Sequence, residues 1–143
     1  MEKLKLKYEQ FNNAFDRLTE ALEMLENIVK SSGDEKVYRI VRDSLIKRFE
    51  FSSELFWKYV KRFLVVGMGQ HIEFNTPKQV FRHACKAKLF TEIDTEQFIE
   101  MIMDRNRTSH IYKEEIADEI AKNIKTYASL IKKYITVLNP ETV

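Results

Sequence analysis

A chain of 143 residues with 24 Lys and Arg against 22 Asp and Glu, net charge +2, is sized for one domain with a real core. Its two signs are interspersed, which argues against an extended nucleic-acid footprint and leaves room only for a local basic patch. The lone Cys85 excludes an internal disulfide, and the charged, alternating start Met1–Lys7 lacks the apolar run of a signal peptide. No stretch approaches an uncharged membrane span, so the expectation is one soluble, cytoplasmic domain over residues 1–143.

Three glycines and two prolines leave little material for turns and predict long helices with few connections. In the first segment Leu4, Tyr8, Phe11, Phe15, Leu18, Leu22, Leu25 and Val29 recur at alternating spacings of four and three. That stripe reads as bundle core. Ser31-Ser32-Gly33-Asp34 then breaks the helix, with Gly33 suited to a C-cap and Asp34 or Glu35 to the next start.

The second helix is predicted from about Val37 to Val66, with Tyr38, Val41, Leu45, Phe49, Phe56, Tyr59 (or Val60) and Phe63 along one face. Phe51, Leu55 and Trp57 fall largely outside it, so this helix is apolar over more than one face and suits several neighbours or a second subunit. Glu50 and Glu54 share a face; such a pair suits acid–base work or a metal, but more often it is solvated or bound to arginines. Gly67-Met68-Gly69-Gln70 ends the helix, and an irregular stretch runs to Asn75 with too few glycines for a phosphate loop.

Thr76-Pro77-Lys78-Gln79 predicts a short helix closed by a capping box, carrying Val80, Phe81, Ala84 and Leu89. His71 and His83 are isolated and read as surface or capping residues rather than metal ligands, and no metal or cofactor is expected. Asp94-Thr95-Glu96-Gln97 reads as a second capping box, and Phe98, Ile99, Ile102 and Met103 continue as a helix. After Tyr112 the acidic pair Glu114-Glu115 opens a last helix carrying Ile116, Ile120, Ile124, Tyr127, Ile131, Tyr134 and Leu138. The predicted fold is all-α: an antiparallel four-helix up-and-down bundle with a short extra helix in the crossover between helices 2 and 3.

Between the last two helices lies Asp104-Arg105-Asn106-Arg107-Thr108-Ser109-His110-Ile111-Tyr112, polar material poorly suited to a core. A continuous helix separates Arg105 and His110 by about 140°, so their convergence needs the helix to end near Thr108 or a second chain to complete the site. Arg105 suits a phosphate, and Arg107 would widen the positive field. His110 has the titration range of a general acid or base. The same residues also suit a hydrogen-bonded network that fixes a helix junction or a dimer interface.

The pattern Arg105-x4-His110-x-Tyr112, with Asn106 after the arginine, resembles the signature of the HEPN superfamily of small all-helical proteins. Together with Ile46-Lys47-Arg48-Phe49-Glu50-Phe51-Ser52-Ser53-Glu54-Leu55-Phe56-Trp57-Lys58, it resembles the nucleotidyltransferase substrate-binding branch. That resemblance covers nearly the whole chain. It implies a homodimeric, non-catalytic partner of a separate minimal nucleotidyltransferase, with Arg105, Asn106, Arg107, Ser109 and His110 binding nucleotide, other substrate or RNA. The alternative that it implies is a metal-independent endoribonuclease toxin with Arg105 and His110 as catalytic residues. The partner would silence that toxin by transferring AMP to Tyr112. Thr108-Ser109 before His110 departs from the ribonuclease-type pattern and matches the substrate-binding branch.

Overall fold

The structure is a computed structural model and describes residues 1–143 except Ser32, Phe74, Ile111 and Tyr112. Among the described residues five α-helices follow one another: α1 Glu2–Lys30, α2 Glu35–Arg62, α3 Pro77–Lys86, α4 Glu92–Arg107 and α5 Glu114–Ile135. A π-helical turn, Phe63–Gly67, extends α2, and 3-10 turns occupy Thr108–His110 and Pro140–Thr142. No strand occurs among the described residues. The short α3 lies between α2 and α4, where the extra helix was expected.

Leu4, Phe11, Phe15, Leu18 and Leu25 are buried along α1, with Tyr8 and Leu22 packed beside them. Val29 departs from the predicted stripe: in the last turn of α1 it is exposed, past the end of the core. Ser31 takes the C-cap position assigned to Gly33, whose N–H instead reaches back to the Ile28 carbonyl at 3.2 Å. Asp34 starts α2 as expected, its carboxylate accepting from the Lys36 N–H at 2.9 Å.

The partners of α1 along α2 descend as α1 ascends. The Tyr8 and Tyr59 rings lie 5.5 Å apart and those of Phe11 and Phe56 lie 5.4 Å apart. Further along, the Ser52 hydroxyl donates to the Ala14 carbonyl at 3.1 Å, and Arg48 donates to the Arg17 carbonyl at 2.7 Å. The two helices are therefore antiparallel, and small Ala14 and Ser52 sit where a larger side chain would hold them apart. On α4 and α5, Asp94 pairs with Lys133 and Tyr134 while Asp104 pairs with Asn123 and Tyr127, so these two are antiparallel as well.

A broad face of α2 is buried, including Leu45, Phe49, Phe56, Trp57 and Val60. Of the three aromatic and aliphatic residues read as lying off the main stripe, Trp57 is buried, Leu55 is half-buried and Phe51 is 61% exposed. Phe56 holds the centre. Its ring stands 4.9 Å from Phe98 of α4, 5.9 Å from Phe81 of α3 and 6.4 Å from Phe90, which joins those two helices.

Where α2 ends, the Met68 N–H reaches the Phe63 carbonyl at 3.0 Å, the wider spacing of a π turn. Gly69 follows at φ +66, left-handed backbone that glycine adopts without Cβ strain. The two predicted capping boxes form differently. Thr76 is the N-cap residue of α3, but its hydroxyl binds the Gln79 side chain at 2.7 Å rather than a backbone N–H. The N-cap of α4 is Thr91, three residues before the expected Asp94, and its hydroxyl accepts from the Asp94 N–H at 3.1 Å. Asp94 is thereby turned inward, where it accepts from Lys133 Nζ at 2.7 Å and from the Tyr134 hydroxyl.

Burial alone would raise the Asp94 carboxyl, but hydrogen bonds from Lys133 and Tyr134 outweigh it and hold the group below the usual carboxylate range. A depressed folded-state value means stability that is present above the unfolded value of about 3.9 and lost as pH falls through the folded value. Asp94→Asn is therefore expected to cost about 1.5–3 kcal/mol at pH 7. Denaturant titrations at neutral and acid pH should show the gap between wild type and variant shrinking below about pH 4. Phe56→Ala should cost about 3–5 kcal/mol in the same assay, because the rings of three helices face the vacated space.

Candidate functional site

The polar stretch sits where α4 stops. Thr108 and Ser109 stop it: their hydroxyls donate to the carbonyls of Arg105 at 2.6 Å and Asn106 at 3.0 Å. The Arg105 carbonyl also accepts the Thr108 backbone N–H, and the two hydroxyls add side-chain caps to the last turn of the helix. The Ser109 proton is thus committed to the backbone, leaving only its oxygen lone pairs for a ligand. With α4 ending at Arg107, the 140° divergence of a continuous helix no longer governs Arg105 and His110.

Asp104 underlies the site, and nothing in the sequence singled it out. It is buried, and one carboxylate oxygen accepts from Arg107 at 3.0 Å. The other accepts from Asn123 Nδ2 at 3.0 Å and from the Tyr127 hydroxyl. Burial and then the Asp104 hydrogen bond push the Tyr127 phenol well above its usual range, so it stays a neutral donor. The signal available beforehand was Tyr127 itself, a phenol in an apolar stripe that needs a buried acceptor.

Arg107 differs from its expected role as a free positive charge. Its guanidinium is divided between Asp104 and Glu119, the latter at 3.1 Å, so most of its field is neutralised locally. Arg105 is the less committed cation. Its Nη2 lies 3.9 Å from Glu54 Oε2, beyond hydrogen-bonding distance, and its buried Nε has no hydrogen-bond partner among the described residues. A buried N–H without an acceptor costs about 1–3 kcal/mol, and the rest of the guanidinium remains partly exposed.

Glu54 accepts from Trp57 Nε1 at 3.1 Å and pairs with Lys58 at 3.2 Å. Burial would raise its carboxyl, but these donors together with Arg105 hold it below its usual range. It is an ion-pairing residue, the more ordinary of the two readings of Glu50 and Glu54. Asn106 and His110 are exposed, and no hydrogen bond joins Arg105, Asn106 and His110 to one another among the described residues. Tyr112, the candidate AMP acceptor, lies outside the described residues.

The start of α5 is fixed from the other side. Arg42 of α2, 3% exposed, donates to Glu114 and to Asp118 at 3.1 Å, and to Asp43 beside it. Glu114 thus serves as more than an acidic first-turn residue: the Arg42 hydrogen bond holds its carboxyl below the usual range. No group of three His, Cys, Asp or Glu among the described residues is placed to hold a metal. His71 meets Glu73 on the surface at 3.2 Å, and His83 meets Gln70 at 3.1 Å.

No helix is long and apolar enough to cross a membrane among the described residues. Comparison with curated proteins finds no match. A crystallised protein from Thermus thermophilus shares the fold with a TM-score of 0.68 and 30% identity, over 85% of this chain and 98% of that one. From residue 6 to residue 140 the sequence matches the family described as nucleotidyltransferase substrate binding protein like, and the chain belongs to that family.

Proposed function

We propose that this chain is the non-catalytic subunit of a two-component nucleotidyltransferase. In this reading it forms a homodimer, binds a separate minimal nucleotidyltransferase, and presents the end of α4 to the nucleotide or acceptor. The observation that carries the proposal is the unsatisfied Nε of Arg105, in a family named for substrate binding. Arg105 supplies the anion-binding fork, while Asn106 beside it and His110 past the helix end offer exposed polar groups. Thr108, Ser109, Asp104 and Arg107 fix the helix end that holds them.

The homodimer draws support from α2. Val37, Ile40 and Phe51 recur on its outward face, and the last two are 62% and 61% exposed. Exposed apolar side chains of this kind, on a helix already buried on its opposite side, suit a two-fold contact. A second reading, the metal-independent ribonuclease, draws support from the helix end itself, which frees His110 from the register of Arg105. In that reading Arg105 positions the phosphate and His110 transfers the proton.

Phe51→Glu should shift the protein from dimer to monomer in light scattering at micromolar concentration; a wild type that is already monomeric removes the homodimer. Arg107→Glu should lower stability rather than merely weaken partner binding, because it sets a third carboxylate against Asp104 and Glu119. A denaturant midpoint equal to wild type would contradict that pairing.

The two activities separate on one set of proteins: wild type, Arg105→Ala, His110→Ala and Tyr112→Phe. As a partner subunit, wild type leaves RNA intact and binds the cognate nucleotidyltransferase. Arg105→Ala then weakens nucleotide or acceptor binding in the complex by about ten-fold or more. As a ribonuclease, wild type cuts RNA without metal and His110→Ala slows it by on the order of a hundred-fold. AMP added in the presence of ATP and the partner, and lost in Tyr112→Phe, marks that tyrosine as the acceptor in intact-mass measurements. If RNA survives, no AMP is added and every variant binds as wild type, the polar stretch is a structural network and both readings fail.

A further inference from the structure

A second concave site lies in the groove between the start of α1 and the end of α2. It encloses about 410 Å³, within the range of small-molecule sites. Its rim carries Lys7, Lys58, Lys61 and Arg62, and no carboxylate lines it among the described residues. In a chain where acids and bases are nearly equal in number, that segregation is not the average surface. Lys7 and Arg62 form no ion pair among the described residues, while Lys61 donates to Asn75 at 2.9 Å and Lys58 is shared with Glu54.

The walls are apolar. Leu55 comes from α2 and Val65 and Val66 from the π-helical turn, with the buried Tyr59 beneath them. That turn carries the extra residue that leaves the two valines exposed while Phe63 and Leu64 stay in the core. Four cations converging on an apolar hollow match one ligand chemistry: several negative charges at one end and a neutral body at the other. A purely inorganic anion leaves the apolar walls unused, and an uncharged apolar molecule leaves the rim uncompensated.

We infer that this groove binds an organic polyphosphate, a molecule with three or four negative charges and an apolar or planar body of nucleotide size. The amide side chains of Gln10 and Asn75, which also line the groove, supply polar contacts to that body. The inference rests on residues other than Arg105, although Lys58 of the groove and Arg105 approach the same Glu54 carboxylate, at 3.2 and 3.9 Å.

The test is calorimetric titration of the full chain with ATP, adenosine and inorganic tripolyphosphate, followed in parallel by fluorescence of the single Trp57. Its ring centroid lies 6.0 Å from the Lys58 ammonium, so occupancy of the rim alters its surroundings. ATP should bind with a salt-dependent affinity, tripolyphosphate about ten-fold or more weakly, and adenosine not at all. The double variant Lys7→Glu/Arg62→Glu, at two half-buried positions with no ion pair among the described residues, should weaken ATP binding about ten-fold or more with its circular dichroism unchanged. No ATP binding at about 1 mM, or affinity indifferent to the double variant, overturns the inference. So does tripolyphosphate binding as tightly as ATP, which reduces the groove to a phosphate patch. Loss of ATP binding in Arg105→Ala alone moves the ligand to the end of α4 and leaves the groove empty.

Discussion

Phe56 touches rings from α1, α3, α4 and the α3–α4 connection, at centroid distances between 4.9 and 6.4 Å. A single side chain in the middle of α2 therefore sets the separation of three other helices. Removing it leaves a void that no one neighbour can fill without giving up another contact, which is the source of large costs in rigid cores. The short α3 depends on it most. A helix of ten residues has little stability of its own, and Val80, Phe81 and Ala84 make it part of the fold by packing into this aromatic cluster.

Packing sets distances, and two buried carboxylates set register. Asp94 and Asp104 stand at opposite ends of α4, and each receives a tyrosine hydroxyl from α5. A slide of one helix past the other would strand two carboxylates and two phenols at once. Apolar surfaces tolerate such sliding far better, because dispersion contacts are not directional. The same device locates the functional stretch, since Asp104 precedes Arg105 directly and is tied to α5 and to Arg107. The candidate site is thus held from beneath by groups that never need to meet a ligand.

Much of this was legible in the sequence, for reasons particular residues make plain. Leu4 to Leu25 and Ile116 to Tyr134 repeat at helical spacing, and that periodicity placed α1 and α5 with their buried faces. The Thr76-Pro77 start and the scarcity of glycine gave the short helix in the crossover. What escaped was pairing between distant segments. Asp104 looks like one polar residue among several, and only Asn123 and Tyr127, far along the chain, give it a role. Arg107 was expected to project a charge because Glu119 lies in a different helix. Asp94 resembled a cap residue, but Thr91, three positions earlier, competed for that place and won it with a hydroxyl. Phe51 and Trp57 show the same limit in a helix: both are aromatic and off the main stripe, yet one is exposed and the other buried. The stretch that carries the candidate chemistry was visible as composition; the division of labour within it, with some residues fixing the turn and Arg105 left unsatisfied, required coordinates.

The holding of α5 has a consequence for how the chain is assembled. Arg42 grips its first turn through Glu114 and Asp118, Asn123 and Tyr127 hold its middle to Asp104, and Lys133 and Tyr134 hold its end to Asp94. None of these contacts runs through the peptide that joins α4 to α5. That peptide supplies effective concentration, a modest entropic contribution for a connection so short, and not the interactions themselves. Severing the chain at Lys113 removes none of these contacts, so the two fragments keep the same complementary groups, with α1 to α4 on one and the amphipathic α5 on the other.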